Sequence, residues 1–139
     1  MKKFWILSVS MAFLWACGPN ENKVEIEKLD KSLMEGHDKV MPVSLRLPKM
    51  KAEVLQTVEG LEEGDSLKMV AVLIGDELMA ASDSMDVWMR RYADARADES
   101  FDVEKLNVYK TLKAQIEEVD ADTKKAVEKA KTFLENAKN

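Results

Sequence analysis

Along the chain the apolar residues first form an unbroken block and then settle into a spacing of three and four. The block covers residues 4–14 (FWILSVSMAFL) and follows Lys2 and Lys3. Eleven residues are too few to cross a bilayer core of about 30 Å as a helix. A positive start followed by a short apolar run is instead the pattern of an export signal. From Val24 onward the period changes: Ile26, Leu29, Leu33, His37 and Val40 form one stripe, the 3.6-residue signature of a helix buried on one side. Pro42 and Pro48 interrupt it, because each removes a backbone donor and disfavours helix at the residue before it. A kink or short irregular linker is therefore expected between Met41 and Lys49. The period resumes with Met50, Val54, Leu55 and Val58 and stops at residues 60–64, whose glycines and acids suit a helix-helix turn.

The next stretch is the most regular. Leu67, Val70, Ile74, Leu78, Ala81, Met85, Trp88 and Tyr92 hold the spacing over about seven turns. Residues 70–74 (VAVLI) alone would pass for a strand, but their flanks continue the helical period. Residues 93–100 (ADARADES) are polar and non-periodic, a loop or a fraying helix end. A last helix is expected to open near Asp102 as N-cap, with Phe101 and Leu106 as a hydrophobic staple. Leu112, Ile116, Val119, Thr123, Ala126, Ala130 and Phe133 carry its apolar face, and Glu-Lys pairs such as Glu128 and Lys131, or Glu118 and Lys125, lace the solvated side. The fold expected is all-α: an elongated antiparallel three-helix bundle, up-down-up, with a proline-broken first helix. The last helix alone would be roughly 50 Å long, so the object is a rod. Its late alanines allow close approach but fill little volume, which makes that end the weaker one.

Composition narrows the function classes. The 139 residues carry 26 acids against 21 bases, a net charge of −5, and removal of Lys2 and Lys3 with the signal makes the mature chain more acidic still. An acidic chain without a basic stripe argues against nucleic acid as a partner. A single cysteine, Cys17, excludes a disulfide framework, a Cys-x-x-Cys pair and a zinc-thiolate site together. That cysteine ends Leu14-Trp15-Ala16-Cys17, which resembles the lipobox of bacterial lipoproteins, although Trp15 stands where that pattern has a small residue. The resemblance implies a signal peptide over residues 1–16 and diacylglycerol plus an N-acyl chain (palmitate class) on Cys17. The polar, breaker-rich residues 18–22 read as a tether, which gives a lipidated tether over residues 17–22 and, from the periodicity, a helical domain over residues 23–139. Two or three acyl chains, at about 0.8 kcal/mol per buried CH₂, make such attachment effectively permanent. Gly18, in place of the aspartate that holds lipoproteins in the inner membrane of enterobacteria, points to a periplasm-facing outer-membrane protein.

Two motifs carry a wider likeness. Residues 34–42 (MEGHDKVMP) and 85–92 (MDVWMRRY) are followed by a Glu/Lys-rich helix with Ile116, Ala126 and Leu134. Together they resemble a family of small lipoproteins from Bacteroidota-type bacteria, some labelled viral A-type inclusion protein. In that family Met-Pro is followed at once by Lys-Met and a resumed helix, whereas this chain carries residues 43–47 before Pro48, Lys49 and Met50. The resemblance implies an envelope location and a helical fold, and no known activity.

Catalytic signatures are missing from the sequence: no Gly-rich phosphate loop, no Gly-x-Ser-x-Gly elbow, and no carboxylate pair distinguishable from the acids on solvated faces. His37 and Asp38 are neighbours, which on a helix sets them about 100° apart, so no acid-base dyad is expected. The expectation is a protein without catalytic activity that interacts with an envelope partner or with itself.

One constellation stands out. Met34, His37 and Met41 share a helical face, as do Met85, Trp88 and Met89. Antiparallel pairing about residues 60–64 joins positions whose numbers sum to about 125, so that His37 faces Trp88 and Met41 faces Met85. Thioether sulfur and imidazole suit Cu(I) or Ag(I), and a tryptophan face favours a cation. The same residues also suit a plain core, since methionine fills irregular gaps and packs well on aromatic edges, with Asp38, Pro42, Trp88 and Tyr92 as its motif residues.

Overall fold

In the computed structural model, which describes residues 20–100 and 102–137, the three-and-four spacing becomes four α-helices and no strand among those residues. They are α1 (Glu21–Ser44), α2 (Leu47–Gln56), α3 (Ser66–Ala97) and α4 (Asp102–Asn136). The export signal, Cys17 and Phe101 of the expected staple lie outside the described residues. Helix α1 starts at Glu21 because Asn20 caps it, its side chain accepting the Asn22 backbone N–H at 3.1 Å. The last two residues of the expected tether therefore belong to the helix. Asp65 caps α3 in the same way, accepting the Leu67 N–H at 2.7 Å.

The proline region is tighter than its sequence suggests. Pro42 sits near the C-terminal end of α1, where its ring forfeits one backbone bond and leaves the turn intact. Pro48 lies in the first turn of α2, where no donor is required. The break is only Leu45 and Arg46, both in the right-handed helical region and tied back by N–H bonds to the Met41 and Val43 carbonyls at 3.1 and 2.9 Å. Most of residues 43–47 is helical. Together α1 and α2 make one bent arm, so the architecture is an all-α three-helix bundle.

The bend changes the arm's partner. Helix α1 packs chiefly on α4, and α2 chiefly on α3. Cross-helix bonds fix the directions. Lys39 to Asp120 (2.6 Å), Lys110 to Glu25 (2.9 Å) and Asn20 to Asp102 (2.7 Å) set α1 parallel to α4. Tyr92 to Asp30 (2.7 Å) and Lys129 to Glu77 (2.6 Å) set α3 antiparallel to both. Close approach of α1 and α4 depends on Gly36, where an added Cβ would stand 2.9 Å from Ile116 Cγ1.

Two core clusters result. One gathers Leu33, Val40, Trp88, Tyr109, Leu112 and Ile116 between α1, α3 and α4. The other joins Leu47, Val54, Ala71, Leu78, Ala130 and Phe133 between α2, α3 and α4. The two buried polar residues among those described, Ser44 and Thr123, belong to neither cluster, and the Thr123 hydroxyl has no hydrogen-bond partner there. One expectation on α3 fails: Leu67 and Val70 are exposed and Ala71 takes the buried place, because the buried stripe Leu78, Ile74, Ala71 continues by a step of three where the sequence offered a step of four. Of the two readings of residues 93–100, the helix end holds for 93–97: the small Ala95 is buried, and the chain leaves the helix only at Asp98, with ψ 126°. Asp102 is the first residue of α4 instead of its cap.

Candidate functional site

The methionine, histidine and tryptophan layer assembles where α1 faces α3. Trp88 is 2% exposed, and its indole Nε1 donates to the Leu112 carbonyl of α4 at 2.9 Å, which fixes the ring plane. The His37 ring stacks on it with centroids 6.4 Å apart and planes 28° from parallel. Met85 is buried in the same cluster, and Met41 and Met89 are partly buried against it. Met34 is at the surface and outside that cluster. Pro42 is exposed and shapes the end of α1.

The two neighbours judged too divergent by helical spacing do meet: His37 Nδ1 lies 3.0 Å from Asp38 Oδ1. Side-chain rotation closes the 100° that separates their Cα–Cβ directions. The Asp38 side chain is 73% exposed, so this is a surface pair and not a buried catalytic dyad. The other ring nitrogen, Nε2, makes no hydrogen bond to a described residue. One helical face away, Asp120 is held between Lys39 and Lys124 at 2.6 and 2.8 Å. Burial pushes its carboxyl pKa up, but the two ammonium groups outweigh that and hold it below the ordinary value.

Beyond Trp88 the aromatic column continues. Tyr92 stacks on Trp88 at 5.2 Å, and Tyr109 meets Tyr92 edge-on at 6.3 Å. Asp30 accepts the Tyr92 hydroxyl at 2.7 Å, while Arg96 lies 3.8 Å from the same carboxylate oxygen and 5.8 Å above the Tyr92 ring. Burial first, and then the Asp30 charge, raise the pKa of both tyrosines, so each phenol stays protonated as a donor. Asp30, Arg96 and Tyr109 carried no signal in the sequence reading. The antiparallel register that pairs 37 with 88 also sets 30 near 92, which would have exposed the first of them.

Three grooves of about 560 to 650 Å³ lie between neighbouring helices, and His37 lines none of them. One runs between α3 and α4 past Val70, Leu73 and Phe133. Beside it α3 exposes Leu67, Met69, Val70, Val72 and Leu73, the last at 64%. No helix among the described residues is long and apolar enough to cross a membrane. No group of three or more His, Cys, Asp or Glu side chains among them is placed to hold a metal ion. Any soft ion would have to rely on the thioethers and His37. Comparison with known proteins yields no match to a family model, to a curated protein or to a solved structure.

Proposed function

We propose that this is a lipid-anchored protein of the cell envelope, attached to the outer membrane through Cys17, whose helical rod has a structural or protein-interaction role and no catalytic activity. The observation that carries the proposal is an exposed apolar face at the end of the rod remote from Asn20. Asn20, three residues after Cys17, lies beside Asp102 and hence beside the α3–α4 connection. At 1.5 Å per residue, Leu73 stands about 36 Å further along α3 from Ala97. A rod tethered at one end and apolar near the other is suited to reaching a partner away from its own membrane. In the His37 layer the imidazole pairs with an exposed carboxylate and lines none of the three grooves described above, an arrangement that suits packing better than acid-base chemistry.

Metabolic labelling with a fatty acid tests the anchor. The wild-type chain should take up label and sediment with outer membranes, and Cys17→Ser should do neither. A wild-type protein that is unlabelled, soluble and cut at another residue would refute it.

A second reading, soft-metal binding, is favoured by one specific observation: His37 lies over Trp88 with Nε2 bonded to no described residue, and Met41, Met85 and Met89 pack in the same cluster. Thioethers plus one imidazole would hold Cu(I) or Ag(I). Titration with Cu(I) against a competing chelator decides it: binding lost in His37→Leu supports the site, and affinity no tighter than about micromolar ends it.

A further inference from the structure

Over residues 69–74 (MVAVLI) α3 is apolar on every side. Ala71, Ile74 and Leu78 point inward, while Leu67, Met69, Val70, Val72 and Leu73 remain 44–64% exposed. A helix that is hydrophobic all round is ordinarily a buried one, yet α2 and α4 cover only part of this segment. The uncovered side chains amount to apolar surface on the order of 500 Å², at the upper end of what a monomer displays. Building on the interaction role proposed above, we infer that this face binds a second copy of the chain, forming a two-fold symmetric dimer.

Three features select a copy over other occupants. The first is shape. A two-fold interface must hold both halves of each contact on one surface. Here Leu73, the most exposed side chain of the patch, forms one edge of the groove of about 560 Å³ that it lines with Val70, Ile74 and Phe133, so a two-fold axis beside it would set Leu73 of each molecule against the groove of the other. The second is area. A standard interface takes about 800 Å² from each partner, and homodimer interfaces are about 65% apolar. An apolar patch on the order of 500 Å² supplies the apolar share of one such half-interface. The third is charge. The groove's ionic residues are Glu77 and Glu128 against Lys125 and Lys129, a neutral rim on a chain of net charge −5. An anionic headgroup surface or an acidic partner would call for excess lysine there, and a basic partner for excess acid. A balanced rim accommodates itself.

Disulfide trapping in the full chain tests this. Leu73→Cys, expressed in cells and oxidised with diamide, should give a covalent dimer of twice the chain mass, and Glu27→Cys on the exposed side of α1 should give none. Adding Val70→Asp to Leu73→Cys should cut the dimer yield about tenfold or more, because a charge enters the apolar contact. Leu73 and Val70 are substantially exposed in the single chain, so both variants should keep the helical circular dichroism of the wild type. The wild-type chain, with Cys17 alone, controls for bridging there. The dimer should persist in a Cys17→Ser background, which separates this inference from the anchor: loss of fatty-acid label with the dimer intact removes only the anchor. Any of four results overturns the dimer: a monomeric Leu73→Cys chain, a bond to a different protein, a bond to Cys17 within the same chain, or a yield indifferent to Val70→Asp. Loss of the dimer in the Cys17→Ser background would overturn it too, by showing that crowding on the membrane had caused the contact.

Discussion

Replacing Trp88 by alanine is the most direct probe of the His37 layer. The side chain is 2% exposed, stacks on Tyr92 at 5.2 Å and donates to the Leu112 carbonyl at 2.9 Å. Truncating a buried tryptophan costs about 3 to 5 kcal/mol. The stack adds about 0.5 to 1.5 kcal/mol and the lost bond about 1 kcal/mol. Those terms place Trp88→Ala toward the upper end, about 4 to 5 kcal/mol, against the 5 to 15 kcal/mol that holds a whole domain. At roughly 4 °C per kcal/mol for a domain of this size, the melting temperature should fall by about 15 to 20 °C. Urea denaturation followed by helical circular dichroism reads the free energy directly. Trp88→Phe keeps one ring on Tyr92 and should lose about 1 to 2 kcal/mol. His37→Leu retains an apolar side chain over the indole and should shift stability by less than about 1 kcal/mol. A Trp88→Ala loss below about 1.5 kcal/mol would mean that the indole does not carry the layer, and the packing derived for α1, α3 and α4 would have to be abandoned.

The two helical glycines in close contact should diverge. Gly36→Ala meets Ile116 Cγ1 at 2.9 Å and should gain nothing or lose stability, while Gly75→Ala meets only the flexible Lys51 side chain at 3.1 Å and should gain up to about 1 kcal/mol of helix propensity in thermal melts. Thr123→Val removes a buried hydroxyl without a partner among the described residues and should raise stability by about 1 kcal/mol; a loss would show that the hydroxyl is satisfied. Tyr92 and Tyr109 hold their protons above the ordinary value of 10.0, so the unfolded chain ionises first. Their contribution is complete below that pH and declines as pH rises past it, by up to about 1.4 kcal/mol per pH unit for each tyrosine. Tyr92→Phe should flatten the alkaline part of a melting-temperature profile, and an unchanged slope would refute the link.

Much of the architecture was legible because an amphipathic helix writes its period into the sequence. The stripe from Leu112 to Phe133 lies on one buried face, and the turn at residues 60–64 sets a register in which His37 stacks on Trp88. Periodicity found Ala81, Ala126 and Ala130 but missed two other small core residues: Ala71 is outweighed by larger apolar neighbours and Ala95 is set among polar ones. It misled where apolar residues crowd, since residues 70–74 offer more apolar positions than the core can take and the sequence does not say which ones face out. The prolines marked the right place: the chain bends at Leu45 and Arg46, between Met41 and Lys49, but the break is short because Pro48 sits in the first turn of α2, where no donor is required, and Pro42 costs α1 a single backbone bond. Asp30 and Arg96 went unread beside Tyr92 because polar residues leave no mark in a hydropathy pattern, although the register that pairs 37 with 88 sets 30 near 92 and Arg96 follows Tyr92 by one helical turn.

The polar waist at Ser44 and Thr123 has a kinetic meaning. Helix α1 serves the core on one side of it and α2 the core on the other, whereas α3 and α4 run unbroken through both and act as splints. Cooperative units in proteins tend to follow such divisions of the core. Amide hydrogens of the ten-residue α2 should exchange with solvent through a partial opening that leaves α1 docked. Those at the centre of α4 should wait for complete unfolding. The end of the rod that presents its apolar face is thus also the end that can loosen without dismantling the rest, so a partner seated on α3 would slow exchange in α2, a helix it need not touch.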